Sequence, residues 1–286
     1  MALVTRSRAG FMSRLFSGFL LIALLFGLNG CATLRPGFEA LDMGTPQTLP
    51  PLPTAQELLG KLDARRQSLT SLRGLARIVY KDTQEKGTAK QAIAVSAPDR
   101  FRWELFSPIG VAALVTSDGT RLATYFPSEK VLYRGRATPI NVLRFTRVLL
   151  SPREIVGLLL GAPVLPSTTE ACTVEYATEN AWFRLHCPTA EQASVTLWFE
   201  QATLQLRRTE MQATDGTISK RMDLSDYRAV NGQMFPFEIV LFDLQGQQQA
   251  SIFYERVELN PNPPDAIFTL AAITGVREVD VDALAP

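Results

Sequence analysis

The side chains that most often do chemistry are few in this chain and poorly placed for it. Among 286 residues there is one histidine, His186, and Cys187 follows it directly. Neighbours on a strand point to opposite faces, so this pair cannot work as base and nucleophile. One histidine with Cys172 and Cys187 does not complete a tetrahedral zinc site. No nucleophile elbow, phosphate loop or dinucleotide fingerprint occurs. Asp223, Asp226 and Asp243 fall on strand-like segments or their ends and read as solvated charge. The expectation is a protein with no catalytic residue, no metal and no cofactor, and so not an enzyme.

The third cysteine has a different setting. The first thirty residues carry Arg6, Arg8 and Arg14 and no acidic residue, with an apolar run from Leu15 to Leu28. That run is short for a membrane span and has the flanks of an export signal. It leads into Leu28-Asn29-Gly30-Cys31, which resembles a lipobox. The resemblance implies that Cys31 is lipidated and becomes the first mature residue, with residues 1–30 removed as signal peptide. Ala32 after the cysteine implies the outer membrane. Without the three signal arginines, the 29 basic residues fall to about 26 against 28 acidic ones, close to −2 for the mature chain. Nucleic acid needs a basic face and is not expected as a partner.

Export also bears on Cys172 and Cys187. The segment between them reads as two strands around a turn near Glu179-Asn180, and a symmetric register sets the cysteines opposite each other. An oxidising compartment favours a disulfide there, the alternative being two separate buried thiols.

The elements that would position such residues follow from periodicity. Residues 31–53 hold five prolines and read as a tether. A single domain spans 54–286. Thr54 to Glu57 is a capping box, and Leu58, Leu59, Leu62, Leu69 and Leu72 follow at helical spacing, predicting a helix that ends at Gly74. From Leu75 to Arg134 the period becomes 2, with about six strands between short turns. Two apolar helical segments come next. One runs from Ile140 to Leu149, and the other starts at a second capping box, Ser151 to Glu154, with Pro152 at the first helical position. Strands return from Cys172 to Glu258. The sum is a mainly β chain of about 11–13 antiparallel strands, curled to protect its edges into a half-open barrel, with an N-terminal helix and a central helical insertion as a lid.

Phe101, Trp103, Leu105, Leu114, Tyr125 and Leu132 alternate so as to face inward, as do Phe183, Leu185, Trp198, Phe237, Ile239, Leu241 and Phe253. A sheet this wide leaves room for a cavity. One turn breaks the pattern: Ser107-Pro108-Ile109-Gly110 puts a branched aliphatic where turns are usually polar.

The lipobox, the helix ending near Ser71-Leu72-Arg73-Gly74, the strand pair RFRWELFSPIGVAALVTSDG and the later SPREIVGLLLGAP together resemble the LolB family of outer-membrane lipoprotein receptors and its soluble relative LolA. The match is best from Leu58 to Pro163. The resemblance implies that Pro108, Ile109 and Gly110 form a protruding, membrane-contacting loop. It implies an acyl-chain cavity lined by Phe101, Trp103, Leu105, Leu114, Tyr125 and Leu132, under a lid of Leu143, Phe145, Ile155, Leu158 and Leu159. Its partners would be a LolA-type carrier protein, lipoprotein acyl chains and outer-membrane lipid, with the protein a periplasm-facing monomer. Two rival functions share the pattern: an envelope lipoprotein of the same fold that binds or senses lipid or peptide without delivering it, and a structural envelope lipoprotein with a packed core.

Overall fold

A computed structural model describes residues 49–164, 172–177, 180–189, 193–244 and 247–284. The signal sequence, Cys31 and most of the tether lie outside the described residues. From Pro50 onward the chain is one compact unit.

Its frame is a single fourteen-stranded sheet. The first six strands, β1 (Ser71–Lys81), β2 (Lys86–Ser96), β3 (Arg100–Ser107), β4 (Gly110–Ser117), β5 (Arg121–Phe126) and β6 (Val131–Arg136), form an antiparallel meander. A second meander runs through β7 (Thr173–Ala177), β8 (Trp182–Pro188), β9 (Ser194–Glu200), β10 (Leu206–Gln212), β11 (Ile218–Val230), β12 (Gln233–Asp243) and β13 (Gln248–Leu259). The two are joined by antiparallel pairing of β1 with β13. The short β14 (Arg277–Asp280) adds in parallel to β6. The sheet is open rather than closed, with β14 and β7 at its edges. This is the mainly β, half-open architecture that the periodicity implies, with β14 as an addition from the C-terminal tail.

Three helices cover one face: α1 (Ala55–Ser68), α2 (Pro139–Thr146) and α3 (Pro152–Leu159). Both capping boxes form. The Glu57 N–H donates to Thr54 Oγ1 at 3.2 Å and the Thr54 N–H to Glu57 Oε2 at 2.7 Å. The Ser151 N–H likewise donates to Glu154 Oε2 at 2.8 Å. Helix α1 ends sooner than its leucine spacing predicts. Leu69 is an extended C-cap, and Leu72 belongs to β1. Tertiary bonds outweigh the helical period here: Asn260 Oδ1 accepts the Thr70 N–H at 2.9 Å, and Ala97 N–H donates to Thr70 O at 2.7 Å.

The core lies between these helices and the sheet. It includes Leu58 and Leu62 of α1, Ile155, Val156 and Leu159 of α3, and from the strands Phe183, Leu185, Phe237, Ile239 and Leu241. Over β3 to β6 the other face is covered as well. The tail returns across it through a 3₁₀ turn at Asp265–Phe268, and Phe268 is buried there with the Arg100 guanidinium 5.7 Å from its ring. Arg102 Nη1 donates to Ile267 O at 3.1 Å. These strands are therefore apolar on both faces, a pattern that hides which side is the interior.

Candidate functional site: an apolar cavity under a helical lid

Strand register decides which side chains reach the interior, because cross-strand partners share a face. Trp103 pairs with Ile93 and Val115, and Leu105 with Ala113. Leu114 pairs instead with Glu104 and Tyr125, and Tyr125 with Leu132. Leu114, Tyr125 and Leu132 are thus on the face away from α2 and α3, which corrects their expected place in the cavity. The cause is β4, whose Val-Ala-Ala-Leu-Val run is apolar at every position and carries no phase of its own. Trp198 and Phe253 also turn outward. Each is held by a guanidinium, Arg208 at 5.9 Å from the Trp198 ring and Arg77 at 4.2 Å from that of Phe253.

A cavity of about 100 Å³ remains between the sheet and the lid. Trp103 and Leu105 line it from β3, with Ile78 and Tyr80 from β1 and Gln91 from β2. Phe145 of α2 and Ile155 and Leu158 of α3 close it. Phe101 is fully buried beside it, its ring centroid 5.2 Å from that of Trp103. Leu159 is buried in the core, and Leu143 is half-buried; neither lines the cavity. A second cavity of about 50 Å³ lies next to the first. Leu150, Leu158 and Leu241 line both and form the wall between them.

A larger cavity, about 570 Å³, opens on the opposite face between the tail and β4 to β6. Asp118, Arg121, Arg134, Glu278 and Asp280 line it. Its charged walls suit no hydrocarbon, so size does not make it the apolar site.

The lid is fastened at three points. At its C-terminal end, Arg65 of α1 donates through Nε to Gly161 O at 3.0 Å and through Nη1 to Met234 O at 2.8 Å. Tyr254 Oη donates to Leu159 O at 2.9 Å. Burial pushes the Arg65 guanidinium below its usual value and the Tyr254 phenol well above its own. Gly161 is left-handed, with φ +60°, and a Cβ there would sit 2.7 Å from Pro236 Cγ, so only glycine ends the lid this way. In the middle, Lys220 Nζ donates to Leu149 O at 3.2 Å, and Arg147 pairs with Glu85. At the start of α2, Asn141 Nδ2 donates to Asp282 Oδ1 at 2.7 Å.

The odd turn is the β3–β4 hairpin tip. Ser107 pairs with Gly110, which takes φ +126°, and Ser107 Oγ donates to Gly110 O at 3.0 Å. Ile109 is 96% exposed at this tip, and Val111 beside it is also exposed. Ile109 therefore has no core to enter.

Cys172 and Cys187 are joined, with Cα atoms 4.3 Å apart, tying β7 to β8. His186, on the other side of β8, places Nδ1 3.1 Å from Thr196 Oγ1. Asp223 is less solvated than its sequence context implies, being paired with Arg208 at 2.6 Å and Arg221 at 3.0 Å. Among the described residues no group of three or more His, Cys, Asp or Glu could hold a metal ion, and no helix is long and apolar enough to cross a membrane.

With this geometry in hand, solved structures identify the class of fold. An outer membrane lipoprotein-sorting protein domain from Vibrio parahaemolyticus is similar over 74% of this chain and 94% of its own, with a TM-score of 0.53 and 12% identity. A DUF1329 family protein from Desulfovibrio piger is similar over 74% and 95%, with a TM-score of 0.53 and 15% identity. The fold is that of lipoprotein-sorting domains, an open antiparallel sheet carrying a helical insertion. A LolA superfamily protein from Nitrosomonas europaea is similar over 76% and 98%, with a TM-score of 0.49 and 17% identity. A family model described only as an uncharacterized protein matches residues 188–274, and no curated protein matches the chain.

Proposed function

We propose that this protein is a lipid-anchored receptor of the bacterial envelope that accepts lipoprotein acyl chains from a LolA-type carrier and passes them into the outer membrane. The observation that carries the reading is the hairpin that joins two apolar features. Trp103 and Leu105 at the cavity lie on β3, and the same strand runs out to the bare Ile109 at its tip. Anchored through Cys31 on a proline-rich tether, such a molecule would set Ile109 in the lipid interface while its cavity stays in water. Insertion of that side chain is worth about 1.5–3 kcal/mol. The function needs no catalytic group, and the fold of lipoprotein-sorting domains fits it.

The cavity is far too small for a long acyl chain as it stands. Uptake therefore requires α2 and α3 to lift, which would merge the two cavities as Leu158 leaves the wall they share. The small closed volume also favours a second reading, a lipoprotein of the same fold that binds or senses a lipid without delivering it.

The test loads soluble Cys31→Ala protein with a labelled lipoprotein from a carrier and then adds liposomes. Ile109→Glu should keep fold and uptake and lose most insertion, whereas Ile109→Leu should behave as the parent. Normal insertion by Ile109→Glu removes the delivery role. Absence of uptake in the parent removes the receptor role altogether.

A further inference from the structure

Four residues with polar side chains line the cavity under the lid, and the hydroxyls of two of them are hydrogen-bonded within the protein. Tyr80 Oη donates to Asp82 Oδ2 at 2.7 Å, and Thr146 Oγ1 donates to Val142 O at 2.9 Å. The other two residues contribute Trp103 Nε1 and Gln91 Oε1. Both are buried and neither has a partner among the protein atoms. Buried polar groups are nearly always matched, so one unmatched donor and one unmatched acceptor on residues that line the same apolar cavity call for a ligand that supplies their complements once the lid lifts.

The strands fix where the two stand. In the β2–β3 register Gln91 faces Leu105 and Ile93 faces Trp103, so Gln91 and Trp103 are diagonal neighbours on one face. The Cα atoms of such diagonals are about 7–8 Å apart, within reach of long side chains. A hydrocarbon offers nothing to either atom. An ester offers a carbonyl to the indole and leaves Gln91 Oε1 bare. A carboxylate brings acceptors only, with a charge that the apolar walls disfavour. A secondary amide has a carbonyl on one edge and an N–H on the other. One such group can therefore accept from the indole and donate to the Gln91 carbonyl at once.

We infer that Gln91 and Trp103 form a subsite for the linkage of an acyl chain attached through a secondary amide. Trp103 Nε1–H donates to the amide carbonyl, Gln91 Oε1 accepts from the amide N–H, and the chain lies between sheet and lid. This rests on the acyl-binding reading above and adds to it the type of linkage recognised.

The experiment compares N-methyldodecanamide, methyl dodecanoate and dodecane on soluble Cys31→Ala protein, with the ¹H–¹⁵N resonance of the Trp103 indole as a second measurement. The amide should bind about tenfold more tightly than the ester and shift the indole proton downfield, and dodecane should leave that proton in place. Gln91→Met preserves size while removing the carbonyl acceptor, and should abolish the preference for amide over ester without weakening ester binding. Trp103→Phe should weaken amide and ester alike relative to dodecane. Equal binding of all three compounds, or a preference that survives Gln91→Met, overturns the subsite while leaving the acyl cavity standing. If none of the three binds, the acyl cavity fails and the subsite with it. The indole resonance is read on the unmutated cavity, so a variant that misfolds does not obscure the result.

Discussion

Replacing Arg65 with Met should loosen the lid from its C-terminal end. Met keeps most of the apolar bulk of the side chain, so the change removes hydrogen bonds more than packing. Two charge-assisted bonds are lost, to Gly161 O at 3.0 Å and to Met234 O at 2.8 Å. The contact to Leu160 O at 3.5 Å is too long to count. Each good bond of this type is worth about 1.5–3 kcal/mol, and recovery of the guanidinium's desolvation cost offsets part of the sum. Arg65 is only partly buried, which lowers the figure further, and a net loss of about 2–4 kcal/mol is expected. For a domain of this size that lowers Tm by roughly 5–15 °C. Thermal unfolding followed by circular dichroism measures the loss. Hydrogen exchange locates it, since amides of α3 should exchange faster while those of β11 and β12 do not. A Tm within about 2 °C of the parent and unchanged exchange in α3 would refute the idea that Arg65 holds the lid.

The remaining predictions concern other parts of the same frame. Reducing the Cys172–Cys187 bond, which closes a loop of 15 residues, should cost about 3 kcal/mol in the chain-entropy model, read as a lower urea midpoint under reducing conditions. Leu105→Ser should weaken acyl-chain binding severalfold and Leu114→Ser should leave it within about twofold, because the register puts them on opposite faces; equal effects would show that the face assignment is wrong. The Asp282 carboxyl is raised by desolvation, but hydrogen bonds from Asn141 and the Arg136 N–H, with the Arg136 charge, outweigh this and hold it below the usual range. A depressed folded value stabilises above the unfolded value of about 3.9 and is lost as pH falls through the folded one, so exchange in α2 should quicken only in acid, and Asp282→Asn should flatten that dependence. Exchange rates in α2 that are equally pH-dependent in the variant would assign the effect to another group.

Much of this architecture is legible in the sequence wherever a local rule acts alone. Thr54 with Glu57 and Ser151 with Glu154 mark two helix starts because a capping box needs only four residues. The turns of the first meander are marked by Gly, Pro, Asp and Ser between runs of alternating residues. Failures occur where tertiary contacts override local pattern. The leucine spacing continues past Ser68, yet Asn260 holds Thr70 and the neighbouring strands draw Ser71 and Leu72 into the sheet. Leu114, Tyr125 and Leu132 look inward because the tail makes the far side of β3 to β6 apolar too. Leu132 is fully buried there, on the side away from the lid. Gln91 gave no signal in the sequence, since a lone Gln in a strand reads as a solvent-facing residue until a cavity is found beside it.

On the receptor reading, the closed lid also bears on how cargo can be released without an energy source. An acyl chain entering the site buries about 0.8 kcal/mol per methylene, but first the apolar face of α3 must leave the sheet. Ile155 and Leu158 already occupy the space the chain would take. Much of the gain is therefore an exchange of one apolar contact for another. The polar fastenings of the lid, Arg65 and Tyr254 above all, then set the net affinity, since they are broken on opening and have no counterpart in the cargo. A stronger fastening means weaker holding and easier release. This ties the lid prediction to function: Arg65→Met should retain acyl chains more tightly than the parent and hand them to liposomes more slowly, even with Ile109 intact. Faster release from that variant would mean that the lid contributes to holding the chain rather than competing with it.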